Sequence, residues 1–236
     1  DIRDVHSMLA LLDDLGVSIR ELGPHVLSLC ASDIRTTSLN PDLSARIRAS
    51  FLIAGPLLAR CGSVDLPLPG GDFIGRRRVD THLLAFKALG AEIQSDRDFT
   101  MRHDGLSGAE IFLDEASATA TENALMAAAL AVGETTIMNA ACEPHVQDTA
   151  RFLVTLGAQI EGIGTNVLHI HGVERLHGGT FRIPSDYIEV ASFIGLAAVT
   201  GSDLTINDVR ASDLRMINLT FERLGIRVEM DGDVLR

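Results

Sequence analysis

The chain has 236 residues, a formal net charge of −12, 46% hydrophobic residues and a mean hydropathy of +0.22. It can build one large core or two smaller ones, and its acidity argues against general binding to nucleic acid or to an anionic membrane. Cys30, Cys61 and Cys142 lie far apart with no metal-ligand spacing, which points to a reduced cytoplasmic setting rather than a disulfide framework. No apolar run reaches the ~18 residues of a membrane span, and no signal peptide is visible.

In chain order, periodicity predicts a helix from Val5 that ends in Leu15-Gly16 and leads into a strand through Ile19. An apolar helix follows over 48–62, rich in Ala and Gly, and then a glycine-rich loop at 69–80. The first pattern returns as a helix from Val79 ending in Leu89-Gly90, with a strand through Ile93. A second apolar helix spans 122–133 and leads to a strand at Thr135–Met138. A third helix-Leu-Gly-strand unit runs from Val146 through Leu156-Gly157 to Ile160. A third apolar helix spans 189–201 before a strand at Asp203–Ile206, and the last unit runs from Leu214 through Leu224-Gly225 to Val228.

The chain is therefore an internal repeat. Gly16, Gly90, Gly157 and Gly225 recur roughly 70 residues apart, each at a helix C-cap where glycine takes the left-handed conformation without steric cost. The interleaved helices are apolar nearly all round, as buried helices are, and the strands carry one polar face. This predicts an α/β fold with helices inside and sheets outside. Residues 1–45 form the back part of one unit, 46–118 and 119–184 two whole units, and 185–236 the opening of a fourth. A long solenoid is the competing architecture, although the repeat exceeds the common solenoid periods.

The loop Pro69-Gly-Gly-Asp-Phe-Ile-Gly-Arg-Arg-Arg-Val-Asp80 carries the most chemistry. Three arginines in succession beside flexible glycines make an anion trap, because the planar guanidinium fork matches phosphate and carboxylate. Asp72 beside them is a candidate proton carrier. A solvated hairpin tip is the alternative. Among the histidines, His6, His82 and His145 near helix starts read as structural. His169 and His171 share one strand face with no carboxylate fixed near them, so no metal site is expected.

The repeat, together with Arg48-Ala-Ser50, Gly55-Pro56-Leu-Leu-Ala-Arg60, the 69–80 loop, Thr121-Glu-Asn123, Glu143-Pro144, Asp148-Thr-Ala150, Gly172-Val-Glu-Arg-Leu-His-Gly-Gly179 and Asp186-Tyr-Ile-Glu189, resembles the UDP-N-acetylglucosamine 1-carboxyvinyltransferase family, the enolpyruvyl transferases of bacterial peptidoglycan synthesis. The resemblance covers essentially the whole chain. It implies two domains built of three units each, as inverse (inside-out) α/β barrels around a cleft. Residues 1–184 would be most of the loop-bearing domain, and 185–236 the first part of the second. It also implies transfer of the enolpyruvyl group of phosphoenolpyruvate to the 3-hydroxyl of UDP-N-acetylglucosamine with release of phosphate. No cofactor, metal, nucleic acid or membrane is implied. An enolpyruvyl transferase for another nucleotide, or a non-catalytic module that binds a nucleotide sugar, remain alternative readings.

Carried over residue by residue, Asp72 occupies the general-acid position, where most members have Cys, and is expected as the proton donor. Because a carboxylate is not a thiolate, insensitivity to fosfomycin, which alkylates that Cys, is expected too. Arg77 matches the arginine at the phosphate end of phosphoenolpyruvate, and Arg48 one that contacts substrate from the start of a buried helix. A surface ion pair is the other reading of Arg48. Arg77, Arg78, Val79, Asp80 and Thr81 cover the uridine-sugar contact run, with Arg78 in place of the usual Pro; Asp80 also reads as an N-cap. Glu115, Ala116, Ser117 and Ala118 align with a second nucleotide-contact segment, where Ala120 stands in place of a frequent Gly. Glu122 and Asn123 also read as first-turn helix residues. The start at Asp1 without Met suggests a fragment. The family's Lys-Asn pair would lie ahead of residue 1, and its catalytic carboxylate and a later arginine beyond residue 236, so this stretch alone is expected to show no turnover.

Overall fold

The computed structural model describes residues 2–71, 75 and 78–236. They divide into two compact units, Asp1–Gly179 and Thr180–Arg236.

The four Leu-Gly sites of the sequence are four copies of one helix ending. The helices are α1 (Arg3–Asp14), α4 (Asp80–Ala88), α6 (Pro144–Thr155) and α8 (Arg215–Arg223). Gly16, Gly90, Gly157 and Gly225 follow them with φ of +104°, +97°, +101° and +80°. In each copy the glycine N–H donates three residues back, as Gly90 does to the Lys87 carbonyl at 3.0 Å. The next residue's N–H donates five residues back, as Ala91 does to Phe86 at 2.9 Å. This paired closure satisfies two otherwise orphaned helix carbonyls and turns the chain sharply toward the strand. The apolar pairs Val17/Leu12, Ala91/Phe86, Ala158/Leu153 and Ile226/Phe221 take the two positions where such closures bring side chains together.

In the first unit, three of these endings lead into strands. After α1, β1 (Ser18–Gly23) pairs with β2 (Val26–Cys30) as an antiparallel hairpin. β3 (Ser63–Leu66), β4 (Glu92–Ser95) and β5 (Phe99–Arg102) form an antiparallel sheet in the order β3-β5-β4. β6 (Glu110–Phe112), β7 (Glu134–Met138), β8 (Gln159–Glu161) and β9 (Val167–His171) form the sheet β6-β7-β9-β8, in which only β6 and β7 run parallel. Alternation sorts their faces: Val64, Leu66, Phe99, Met101, Ile137, Leu168 and Ile170 are buried, while His169 and His171 point outward.

The apolar helices α3 (Ala54–Cys61) and α5 (Ala118–Ala128) lie within the first unit. α5 packs against α3, α4 and α6 and is buried from Ala120 through Leu125. Small residues permit the close approach. A Cβ on Gly55 would sit 2.8 Å from both the backbone and side-chain oxygens of Asn123. The helix predicted over 48–62 divides into a 3₁₀ turn at Arg48–Ile53 and then α3. Pro56 supplies the reason: it has no N–H to donate four residues back, and its ring crowds the Leu52 carbonyl. The helix predicted at 122–133 begins earlier, at Ala118, so Glu122 and Asn123 sit in its second turn and are buried, not in an exposed first turn.

The second unit departs further from expectation. α7 (Tyr187–Thr200) is as apolar as α5, and Asp186 caps it by accepting from the N–H groups of Ile188 and Glu189. Yet only Val190 and Ile194 of this helix are buried, and Ile188, Phe193, Leu196 and Val199 are exposed. α8 has no buried residue. The stretches predicted as strands at 203–206 and 226–228 are irregular. Ile206 makes only a bridge to Leu235, and a short hairpin forms instead from β10 (Met230–Asp231) and β11 (Val234–Leu235). The core of this unit is Val190, Ile194, Val209, Leu214 and Leu235, with partly buried residues against it.

Candidate functional site

Three chain segments that carry predicted site residues meet in the first unit: the 3₁₀ turn that starts at Arg48, the start of α4, and the loop from β6 into α5. Side-chain hydrogen bonds join them. The Arg48 guanidinium donates from Nη2 to the Arg78 carbonyl at 3.1 Å. Arg78 in turn pairs with Asp80. Thr81 Oγ1 donates to Asp114 Oδ1 at 2.7 Å, which ties the start of α4 to the β6–α5 loop. Arg48 is half-buried, Arg78 and Asp80 are exposed, and Val79 and Thr81 are buried. Asp80 is the first residue of α4 and Val79 its cap, with no side-chain capping bond, so the reading of Asp80 as an N-cap does not hold. Ser117 is the cap of α5, accepting from the Ala120 N–H at 3.4 Å. Glu115 and Ala116 are exposed, and Ser117 and Ala118 half-buried.

The first foot of the glycine-rich loop is pinned. Gly70 donates its N–H to the Ser44 carbonyl at 3.1 Å, and a Cβ there would lie 1.8 Å from the Ala45 carbonyl oxygen. Only glycine fits so close to another backbone. Gly71 lies against Arg48, whose Cβ would be 3.0 Å from an added Cβ. Arg48 thus touches the chain on both sides of the loop, at Gly71 and at Arg78. Asp72 and Arg77, the predicted proton donor and phosphate ligand, lie outside the described residues, as do Phe73, Ile74 and Arg76.

Beneath these segments is a buried polar cluster that sequence reasoning missed. Asn123, fully buried, accepts at Oδ1 from the Gly55 N–H at 2.9 Å. Its Nδ2 donates to the Phe51 carbonyl and to His82 Nδ1, each at 2.9 Å. An amide nitrogen can only donate, so His82 Nδ1 accepts and the imidazole is neutral with its proton on Nε2, which faces Thr119 Oγ1 at 3.3 Å. Burial, reinforced by the positive charge of Arg48, holds the His82 pKa down at about 4. The Phe51 ring meets His82 edge-on with centroids 4.9 Å apart. No spacing rule marks Asn123 or Asp114 in advance, since each finds its partners on another element.

Glu122 faces away from this cluster. It accepts from Thr149 Oγ1 of α6 at 3.1 Å, and burial raises its pKa. On the outer face of the β6-β7-β9-β8 sheet, Glu134 stands opposite His171, 3.8 Å from Nδ1, and Glu161 stands opposite His169. The expectation that no carboxylate lies near these histidines is therefore corrected: strand pairing brings in residues distant in sequence.

The family model described as EPSP synthase (3-phosphoshikimate 1-carboxyvinyltransferase) matches residues 1–236. A protein of Bradyrhizobium diazoefficiens named UDP-N-acetylglucosamine 1-carboxyvinyltransferase is 53% identical over 234 residues, which are 99% of this chain and 54% of that protein. One of the same name from Treponema denticola is 49% identical over 235 residues, covering 100% of this chain and 55% of the relative. The chain thus spans about half the length of the curated relatives it matches. Among solved structures, the enolpyruvyl transferase NikO from Streptomyces tendae superposes with a TM-score of 0.84 at 23% identity, over 100% of this chain and 57% of that one. EPSP synthase from Acinetobacter baumannii gives 0.70 at 21%, over 100% and 55%. At these identities the solved structures show the fold, a mixed α/β arrangement.

Proposed function

The chain belongs to the EPSP synthase family, and on that premise we propose that the full-length protein carrying it transfers the enolpyruvyl group of phosphoenolpyruvate to the 3-hydroxyl of UDP-N-acetylglucosamine, a step of peptidoglycan synthesis in the cytoplasm. The observation that carries the proposal is the convergence of Arg48, the Arg78–Thr81 run and the 114–118 loop, joined by the Arg48–Arg78 and Thr81–Asp114 hydrogen bonds. The acceptor is chosen on the relatives named for UDP-N-acetylglucosamine at 53% and 49% identity.

The chemistry requires what these segments offer. Protonation of the methylene carbon of phosphoenolpyruvate lets the sugar hydroxyl oxygen bond to the adjacent carbon, giving a tetrahedral ketal phosphate as the hydroxyl proton leaves. Loss of a methyl proton then reforms the double bond and expels inorganic phosphate. We assign the proton donor as Asp72, acting as a neutral carboxylic acid, and the phosphate contact as Arg77; both assignments rest on sequence. Arg48 supplies further positive charge for substrate. Arg78, Val79, Asp80 and Thr81, with Glu115, Ala116, Ser117 and Ala118, are assigned to the nucleotide sugar, Ser117 and Ala118 standing at the start of α5, the positive end of the helix dipole, which favours anions.

The domain assignment is also part of the proposal. Residues 1–184 and 185–236 belong to two inverse α/β barrels, of which the second is largely outside this chain. The uncovered apolar face of α7 supports this, because its counterparts α3 and α5 are covered by each other. No described helix is long and apolar enough to cross a membrane.

The test is phosphate release by the purified full-length protein given phosphoenolpyruvate and UDP-N-acetylglucosamine, with the enolpyruvyl ether identified by mass. Turnover on shikimate 3-phosphate and none on the nucleotide sugar would overturn the acceptor assignment. Phosphate release by the 1–236 polypeptide alone would overturn the view that the site needs the remainder.

A further inference from the structure

We infer that Asn123 is a positioning residue: one buried side chain holds all three segments of the candidate site in register. The inference rests on the functional reading above. Each segment is reached by a different arm of the cluster. Phe51 and Gly55, bound by the two ends of the Asn123 amide, belong to the turn that begins at Arg48 and to the helix that continues it. His82, bound through Nδ1, stands next to Thr81 on α4. Thr119, bound to the other nitrogen of His82, stands next to Ala118 at the start of α5, on which Asn123 itself lies one turn further on.

Geometry excludes the bland account of a polar residue that is merely tolerated in a helix. Asn123 is fully buried, and both of its polar atoms have partners on elements other than its own. The amide has one working orientation. Turned over, it would set its NH₂ against the Gly55 N–H and its oxygen against the Phe51 carbonyl, two repulsive contacts without solvent to relieve them. Gly55 is part of the same device, because an added Cβ would strike Asn123 at 2.8 Å and drive the two helices apart. The donors of Asn123 also fix the tautomer of His82, and with it the bond to Thr119. A leucine at 123 would take the Asn123 partner from the Gly55 N–H and His82 Nδ1 together, and leave the Phe51 carbonyl only its bond from the Ala54 N–H. The consequence is directional: loosening the hub shifts the Arg48 turn relative to the start of α4, which weakens ground-state capture of the anionic substrate more than it slows the chemical step.

The experiment uses the full-length protein and varies His82, the gentler handle. His82→Leu removes the acceptor for one Asn123 donor and the link to Thr119, while His82→Asn keeps an acceptor where Nδ1 stands. The expected result for His82→Leu is a rise of about tenfold in the KM for phosphoenolpyruvate, with kcat within about twofold, since an unpaired buried donor costs on that order. His82→Asn should return KM to within about threefold of wild type. A folded His82→Leu protein with lower melting temperature but unchanged KM, or no rescue by His82→Asn, would overturn the positioning role. The nitrogen chemical shifts of the His82 ring test the hub without any turnover. The wild type should show the proton on Nε2, and Asn123→Asp should move it to Nδ1. An Nδ1–H imidazole in the wild type overturns the inference even if the enzyme is active. An inactive wild type with the expected tautomer overturns the functional reading and leaves the hub standing.

Discussion

Replacing Gly70 by alanine isolates the geometry of the loop foot from the chemistry of the loop. The added Cβ would lie 1.8 Å from the Ala45 carbonyl oxygen, 2.2 Å from its carbonyl carbon and 2.7 Å from its Cα, all backbone atoms with no rotamer to yield. An ordinary carbon–oxygen contact is about 3.3 Å, so the two strands of chain must part by roughly 1.5 Å. That separation breaks the Gly70 N–H to Ser44 bond and moves the loop away from Arg48, three residues beyond Ala45. Overpacking of this kind costs about 1–3 kcal/mol of stability. A displacement near 1 Å in a substrate-positioning element costs about a hundredfold in rate. We expect Gly70→Ala to remain folded at 25 °C, with kcat/KM for phosphoenolpyruvate down about a hundredfold in a phosphate-release assay. Gly178→Ala, where a Cβ meets nothing within 4 Å, is the control and should stay within about 0.5 kcal/mol of wild type. Wild-type kcat/KM and melting temperature in Gly70→Ala would refute the argument that the foot positions the loop.

Three further outcomes are expected. His82 is neutral when folded, with a pKa near 4 against 6.5 unfolded, so the unfolded chain binds more protons between these values and the His82 contribution to stability is lost, by about 3 kcal/mol, as the pH is lowered from 6.5 to 4; urea titrations from pH 7 to 4 should show this loss in wild type and not in His82→Asn. If Asp72 is the proton donor, Asp72→Asn should lower kcat at least about a hundredfold, whereas fosfomycin should cause no time-dependent inactivation of the wild type; inactivation that Asp72→Asn abolishes would sink the assignment. The isolated 1–236 polypeptide should self-associate through Ile188, Phe193, Leu196 and Val199, and Leu196→Glu with Val199→Glu should shift it toward monomer in sedimentation; no shift would show that α7 is not the contact.

The repeat was legible because it is local. A Leu-Gly ending on an amphipathic helix closes within six residues, and its positive-φ glycine follows from steric rules alone, so Gly16, Gly90, Gly157 and Gly225 announce the four helix endings without reference to the rest of the chain. The arginines of the 69–80 loop could be singled out for a similar reason, since charge and loop composition are read directly, whereas Arg48, Val79 and Thr81 were marked only by the family resemblance. Burial of α5 and exposure of α7 could not be separated that way: both are apolar all round, and what differs is whether another helix lies against them.

By itself the sequence determined the four Leu-Gly helix endings, their spacing and the residue types available for anion binding, because these depend on interactions a few residues long. Only the tertiary structure decided which segments meet. Gly55 and Phe51 reach Asn123 across about 70 residues, His82 across about 40, and Thr81 finds Asp114 across about 30. A hydrogen bond has value there only because packing has already removed water and brought the partners together, so no pattern along the chain records it.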